Sequence, residues 1–137
     1  MKRVIMLVGA ILLFSLLISA CSSSASIPNT GSNALNVSMS DYKYDPPSWT
    51  VAAGSNVTVN LKNVGTTPHT WVVMSKPISG SYTQSDQSDI LFTSGAISPG
   101  SSKTVTFTAP SSSGNYQVIC TEPGHFVAGM VGQLTVK

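Results

Sequence analysis

A chain of 137 residues has room for one domain, and only 9% of it is charged, with seven basic residues against five acidic ones. No cluster of Lys and Arg interleaved with aromatic residues occurs, so the sequence lacks the footprint of a nucleic-acid partner. Lys2 and Arg3 stand at the extreme N-terminus; without them five lysines face five acids, and the rest of the chain is close to neutral.

Lys2 and Arg3 lead into an apolar run from Val4 to Ile18, followed by Ser19-Ala20-Cys21. A basic start, a short apolar stretch and small residues before a cut site have the form of a secretory signal, and the run is short for a bilayer span. Ile18-Ser19-Ala20-Cys21 resembles a lipobox, the cleavage signal of bacterial lipoproteins. That resemblance implies a signal peptide over residues 1–20 and a diacylglyceryl group on the Cys21 thiol, hence an exported protein tethered to a membrane. Cys120 is then the one free thiol of the exported domain, in a compartment where disulfides would be stable. A lone thiol there asks to be buried or bound to metal.

Residues 21–33 continue as small, polar residues broken by Pro28 and Gly31, a flexible tether between lipid and domain. From residue 34 to 137 the texture changes to short Val/Thr-rich runs that alternate apolar with polar and are separated by Gly, Pro, Ser and Asn. Strands are predicted over 35–40, 48–51, 56–63, 69–74, 103–108, 115–120 and 131–136. Ala53-Gly54-Ser55, Ser98-Pro99-Gly100 and Ser112-Ser113-Gly114-Asn115 supply turn chemistry ahead of three of them. The long connection 75–97 is polar at its centre and has room for one turn of helix. No segment of the domain shows convincing helical periodicity. The fold class is therefore all-β, a sandwich or small barrel.

The stretch CTEPGHFVAGM, residues 120–130, places Cys120, His125 and Met130 at even intervals. The only other histidine, His69, opens the run His69-Thr70-Trp71-Val72-Val73. A period of two puts His69 on one face with Trp71 and Val73, both natural core residues, so His69 points inward at one end of the sandwich. One thiolate, two imidazoles and a thioether form a soft to borderline donor set. Zinc more usually takes four strong ligands, whereas two His and one Cys with a weak Met mark a blue-copper electron-transfer site.

The ligand order, and much of the surrounding sequence, resembles the cupredoxins, a family that includes plastocyanin, azurin and auracyanin. Ala128-Gly129-Met130-Val131-Gly132-Gln133-Leu134-Thr135-Val136 is similar to the end of plastocyanin, and Pro123-Gly124 before His125 is closer to azurin and auracyanin. Gly95-Ala96-Ile97-Ser98-Pro99-Gly100 also matches the run that precedes the strand leading to the copper loop. The resemblance implies a Greek-key sandwich or barrel of about seven to eight strands holding one type 1 copper. His69, Cys120 and His125 would be its strong equatorial ligands, Met130 the weak axial one, and the Pro68 carbonyl would lie on the opposite axial side. One departure stands out: the residue after the first histidine is commonly Asn in this family and is Thr70 here. Either the Thr70 hydroxyl reaches the backbone around Thr121, or the brace on the copper loop is missing.

The function these residues point to is one-electron shuttling by a membrane-anchored carrier, with storage, delivery or sensing of copper as the alternative. A binuclear copper centre needs two cysteines in the loop, and catalytic copper needs further histidines; both histidines are already spent, so the chain is not expected to be an enzyme by itself. Redox partners, membrane-bound or periplasmic, are expected to dock near His125 and Phe126, among Pro123, Val127 and Ala128. The expected location is the outer face of the cell membrane or the periplasm. Trp49, Trp71, Tyr42, Tyr44 and Tyr116 are read as structural.

Overall fold

The computed structural model describes residues 33–137; the signal peptide, the lipid-bearing Cys21 and most of the tether expected from the sequence lie outside the described residues. Nine strands run in chain order: β1 Ala34–Ser40, β2 Lys43–Asp45, β3 Ser48–Val51, β4 Asn56–Asn63, β5 Val72–Met74, β6 Ile90–Thr93, β7 Ser102–Thr108, β8 Gly114–Ile119 and β9 Val131–Val136. They form two sheets packed as a sandwich, one ordered β2-β1-β4-β7 and the other β3-β9-β8-β5-β6. The β1/β4 and β3/β9 pairs are parallel and the remaining pairs antiparallel.

Alternation in the sequence sets which face is buried. Leu35, Val37 and Met39 on β1 stand beside Val59, Leu61 and Asn63 on β4, and all six are buried. On the opposing sheet Trp49 and Val51 of β3 lie beside Leu134 and Val136 of β9. Trp71 sits at the centre with its ring 5.6 Å from both Trp49 and Phe107. Asn63 apart, these inward residues make one apolar cluster that also takes in Cys120 and Met130. Burial of this kind is the main favourable term for such a fold, at about 25 cal/mol per Å² of apolar surface.

The structure departs from the predicted strands in three places. β2 and β6 are short edge strands that bring the total to nine, where about seven to eight were expected. The connection 75–97 carries both the expected helical turn, a 3-10 helix over Gln84–Asp89, and β6. The predicted strand 69–74 is regular only over Val72–Met74. Its first half is diverted from the ladder: the Thr70 N–H donates to Cys120 Sγ (3.4 Å) and the Trp71 N–H to Ser94 Oγ (2.9 Å). His69 keeps a single bridge, to Ile97. β5 is buried throughout because a second apolar cluster, Val72, Met74, Ile119 and Phe126, is covered from outside by Ile78, Tyr82 and Ile90. No helix among the described residues is long and apolar enough to cross a membrane.

Candidate metal centre

Two pieces of chain meet at one end of the sandwich. The first is the turn after β4, Val64-Gly65-Thr66-Thr67-Pro68, which delivers His69. Asn63, fully buried, shapes it: its Oδ1 accepts the Gly65 N–H (2.9 Å), while its Nδ2 donates to the Thr67 and Ile97 carbonyls (both 2.8 Å). A short Asn side chain closing on the backbone two residues ahead is a common turn device, and here it also ties the turn to the strand-like run beside it.

The second piece is the loop between β8 and β9. At its root the Cys120 N–H donates to the Met130 carbonyl (3.3 Å), and within it the Met130 N–H donates to the His125 carbonyl (3.0 Å). The backbones of the loop's three candidate ligands are thus linked, Cys120 and His125 each to Met130. Further turns, His125 N–H to Glu122 O and Ala128 N–H to Gly124 O, keep the loop compact. Gly124 and Gly129 adopt φ of +83° and +99°, a region that side chains rarely enter, which is how so short a loop reverses.

The donor atoms converge. One nitrogen of each histidine and the sulfur of Cys120 all lie within 4.8 Å of one another, and this is the one such group among the described residues. His69 Nδ1 stands 3.1 Å from His125 Nδ1, which is 3.4 Å from Cys120 Sγ. His69, Cys120 and Met130 are fully buried, and His125 is 7% exposed. This spacing fits donors around one ion with bonds of about 2.0–2.3 Å. Imidazole lone pairs and a thiol gathered out of water, with no carboxylate in the group, fit a borderline metal and not calcium or magnesium. With the buried thioether of Met130 the set is that of a type 1 copper site. His69, Cys120 and His125, named from the sequence, are therefore brought to one place, and Met130 is joined to them by its backbone bonds to Cys120 and His125.

The surroundings fix these groups further. Thr70 does bridge to the loop: its Oγ1 accepts the Thr121 N–H (2.8 Å) and lies 3.7 Å from Cys120 Sγ. Of the two possibilities left open by the missing Asn, the brace is present. Burial pushes the Cys120 thiol up, against hydrogen bonds that favour the thiolate. Burial and the neighbouring His125 lower the His69 pKa. Tyr44, predicted to be structural, donates its hydroxyl to the Thr70 carbonyl (2.6 Å), and its own ionisation is pushed well up by burial.

Three neighbours were not legible as part of the site. Asp41 Oδ1 lies 3.3 Å from His69 Nε2, and its carboxyl is lowered to about 2, chiefly by hydrogen bonds from the Thr66 side chain and backbone. Tyr42, at φ +66°, sets its ring edge-on to His125 with centroids 5.2 Å apart. Ser94 takes the Trp71 N–H. A tight turn, Ser40-Asp41-Tyr42-Lys43, was the available signal, but nothing in it says what it touches. Phe126, placed in the apolar rim by its position in the loop, turns inward onto Val72, Met74 and Ile119, whereas Val127 is 62% exposed.

Comparison with known proteins agrees with this geometry. The profile of the family described as "Copper binding proteins, plastocyanin/azurin family" matches residues 32–137. Among solved structures the chain is similar to auracyanin from the photosynthetic bacterium Roseiflexus castenholzii, with 28% identity and a TM-score of 0.67 over 78% of this chain and 98% of that one. Auracyanin B gives 25% identity and a TM-score of 0.68 over 81% and 93% of the two chains. Auracyanin A from Chloroflexus aurantiacus, titled a "blue" copper protein, gives 27% identity and 0.62 over 76% and 99%. The curated protein sequences contain no match. With the family profile covering the whole described sandwich and all four ligand positions, this chain belongs to the plastocyanin/azurin family of copper-binding proteins.

Proposed function

We propose that this protein is a single-electron carrier held at a membrane by a lipid on Cys21. The observation that carries the reading is the burial of the complete donor set behind one rim residue, His125. Copper bound there supplies the one-electron Cu(II)/Cu(I) couple. The chain's own part is to hold two imidazoles, a thiolate and a thioether in one arrangement for both oxidation states, so that little reorganises when an electron moves. Backbone bonds among Cys120, His125 and Met130, and the Thr70 brace to Thr121, provide that rigidity.

His125 is the expected electron port, since it is the ligand nearest solvent. Exposed Val127, Pro123 and Ala128, with Tyr42 beside the imidazole, offer a small apolar surface for brief docking of a redox partner. A non-catalytic role follows from the histidine count: both are in this site, leaving none for a second, substrate-binding copper. Delivery or storage of copper is less well supported, because a donor that hands over metal needs ligands an acceptor can reach, and three of these four are fully buried.

The test is an absorption spectrum of residues 22–137 after one equivalent of Cu(II), followed by repeated cycles of ascorbate and an oxidant. An intense thiolate-to-copper band that bleaches and returns without loss of metal, and is absent in Cys120→Ser, supports the carrier. A colourless folded product, or copper lost to a chelator on each reduction, overturns it. For the anchor, full-length protein expressed in bacteria should partition with membranes and Cys21→Ser should not.

A further inference from the structure

The two ring nitrogens of His69 have different neighbours. Nδ1 faces His125 and the thiol; Nε2 faces the carboxylate of Asp41, 3.3 Å away on the far side of the ring. Asp41 lies in the turn between β1 and β2, distant in sequence from the ligands, yet its position is built with care. The Thr66 N–H (2.9 Å) and the Thr66 hydroxyl (2.7 Å) both donate to it, and the Thr67 hydroxyl lies 3.4 Å away. Gly65 makes the approach possible. A Cβ there would run into the Asp41 carboxylate and stand 2.8 Å from His69 Nε2. No Lys or Arg pairs with Asp41: the ion pairs among the described residues are His69–Asp41 and Lys76–Asp89.

We propose that Asp41 is a positioning residue for the copper site: its carboxylate accepts the Nε2–H of His69, which turns the Nδ1 lone pair toward Cys120 and His125 and favours the more highly charged, oxidised metal. A neutral imidazole carries one N–H, so a partner that takes Nε2–H leaves Nδ1 bare, as a ligand must be. An anion behind the ring makes it a better donor, and Cu(II) gains more from that than Cu(I). The Thr66 bonds and the close approach at Gly65 hold the anion beside Nε2.

The inference rests on the copper reading, so its test has a metal-free arm. In metal-free protein the ring ¹⁵N shifts of His69 should show the Nε2–H tautomer in wild type, and Asp41→Ala should lose that preference. With copper bound, Asp41→Asn, which keeps the shape and an acceptor but no charge, should raise the reduction potential. Asp41→Ala should raise it as well and weaken Cu(II) binding by about 10–100-fold. Each tenfold loss of Cu(II) over Cu(I) affinity corresponds to about 59 mV. A His69 tautomer indifferent to Asp41→Ala, or a potential unmoved in Asp41→Asn, would overturn the proposal. If wild type took up no copper, the proposed function would fail while the tautomer experiment still decided the role of Asp41.

Discussion

The Nδ1 atoms of His69 and His125 face each other across 3.1 Å in the buried centre of the site. Only one of them can carry a proton between them, and both must be bare to hold a metal. The Cys120 thiol beside them stays protonated at neutral pH because burial pushes its pKa up. Loading the site therefore means losing that thiol proton. We expect uptake of copper at pH 7 to release about one proton per ion, as metal binding to protonated ligands does. Titration calorimetry in two buffers of different ionisation enthalpy measures it; heats that do not depend on the buffer would contradict it.

The same pair sets an acid limit on the metal-free fold. Burial and His125 lower the His69 pKa below its usual 6.5, so the unfolded chain binds the proton more tightly. The contribution of neutral His69 to stability is then complete above pH 6.5 and is lost as the pH falls through the lowered value. Asp41 acts further down: held at about 2 against 3.8 when unperturbed, it contributes above pH 3.8 and loses that contribution between 3.8 and about 2. Urea midpoints of metal-free protein should fall in both ranges. The first fall should be shallower in His69→Gln and the second in Asp41→Asn; identical profiles would rule out these groups as the cause.

Much of this site was readable in the chain because its ligands come from one loop and one strand-like run, both with distinctive residue types. The apolar/polar alternation along β1, β4 and β9 likewise matches the residues that face inward. The rest depended on contacts that leave no local mark. Asp41 meets His69 across 28 positions, and Asn63 meets the Ile97 carbonyl across 34. β6 pairs along one side only and is half-buried on alternate residues, so its four residues do not separate from the polar stretch around them. The run 69–74 keeps the alternation of a strand while Cys120 and Ser94 take the N–H groups of Thr70 and Trp71 that a ladder would use. Phe126 was misplaced because the cluster it joins is built by the distant connection that covers the outer face of β5.

Gly65 links the fold to the site. Its backbone is not in the left-handed region, so alanine there is excluded by space alone: the added methyl would press on the Asp41 carboxylate and the His69 ring. Gly65→Ala should destabilise the protein by about 1–3 kcal/mol, as overpacking does. Displacing the residue behind the His69 ring should also weaken copper binding by about tenfold or more. Gly54→Ala, whose Cβ meets nothing within 4 Å but which sits at φ +65°, is the control: a strained backbone with the metal site intact. Equal copper affinities in the two variants would refute the steric argument.

Thr70 tests whether one hydroxyl can replace an amide as the brace on the copper loop. Thr70→Val preserves the shape but leaves the Thr121 N–H without its acceptor and removes the hydroxyl near Cys120 Sγ. An unpaired N–H in a partly buried place costs about 1–3 kcal/mol, so the urea midpoint should fall. A hydrogen bond to the thiolate stabilises the electron-rich reduced site, so the reduction potential should fall too, opposite in direction to the change expected for Asp41→Asn. Thr70→Asn should recover stability if its amide spans to Thr121. A potential that rises in Thr70→Val would mean that the hydroxyl does not act on the sulfur.

Charge should matter little when the carrier meets its partner. Once residues 1–20 are set aside, five lysines balance five acids; exposed Pro123, Val127 and Ala128 flank His125 in the loop and Tyr42 stands beside its ring, with Glu122 and Asp41 the acids near the site. Steering by a net field is then weak, and the lipid anchor proposed on Cys21 would raise the local concentration in its place. Stopped-flow reduction of the copper-loaded domain by a small neutral donor and by a membrane redox protein should show rates nearly flat with ionic strength. Val127→Glu should slow the protein partner and spare the small donor, because it disturbs docking and not the site. A steep fall in rate with salt for wild type, or an equal effect of Val127→Glu on both donors, would place the docking surface elsewhere.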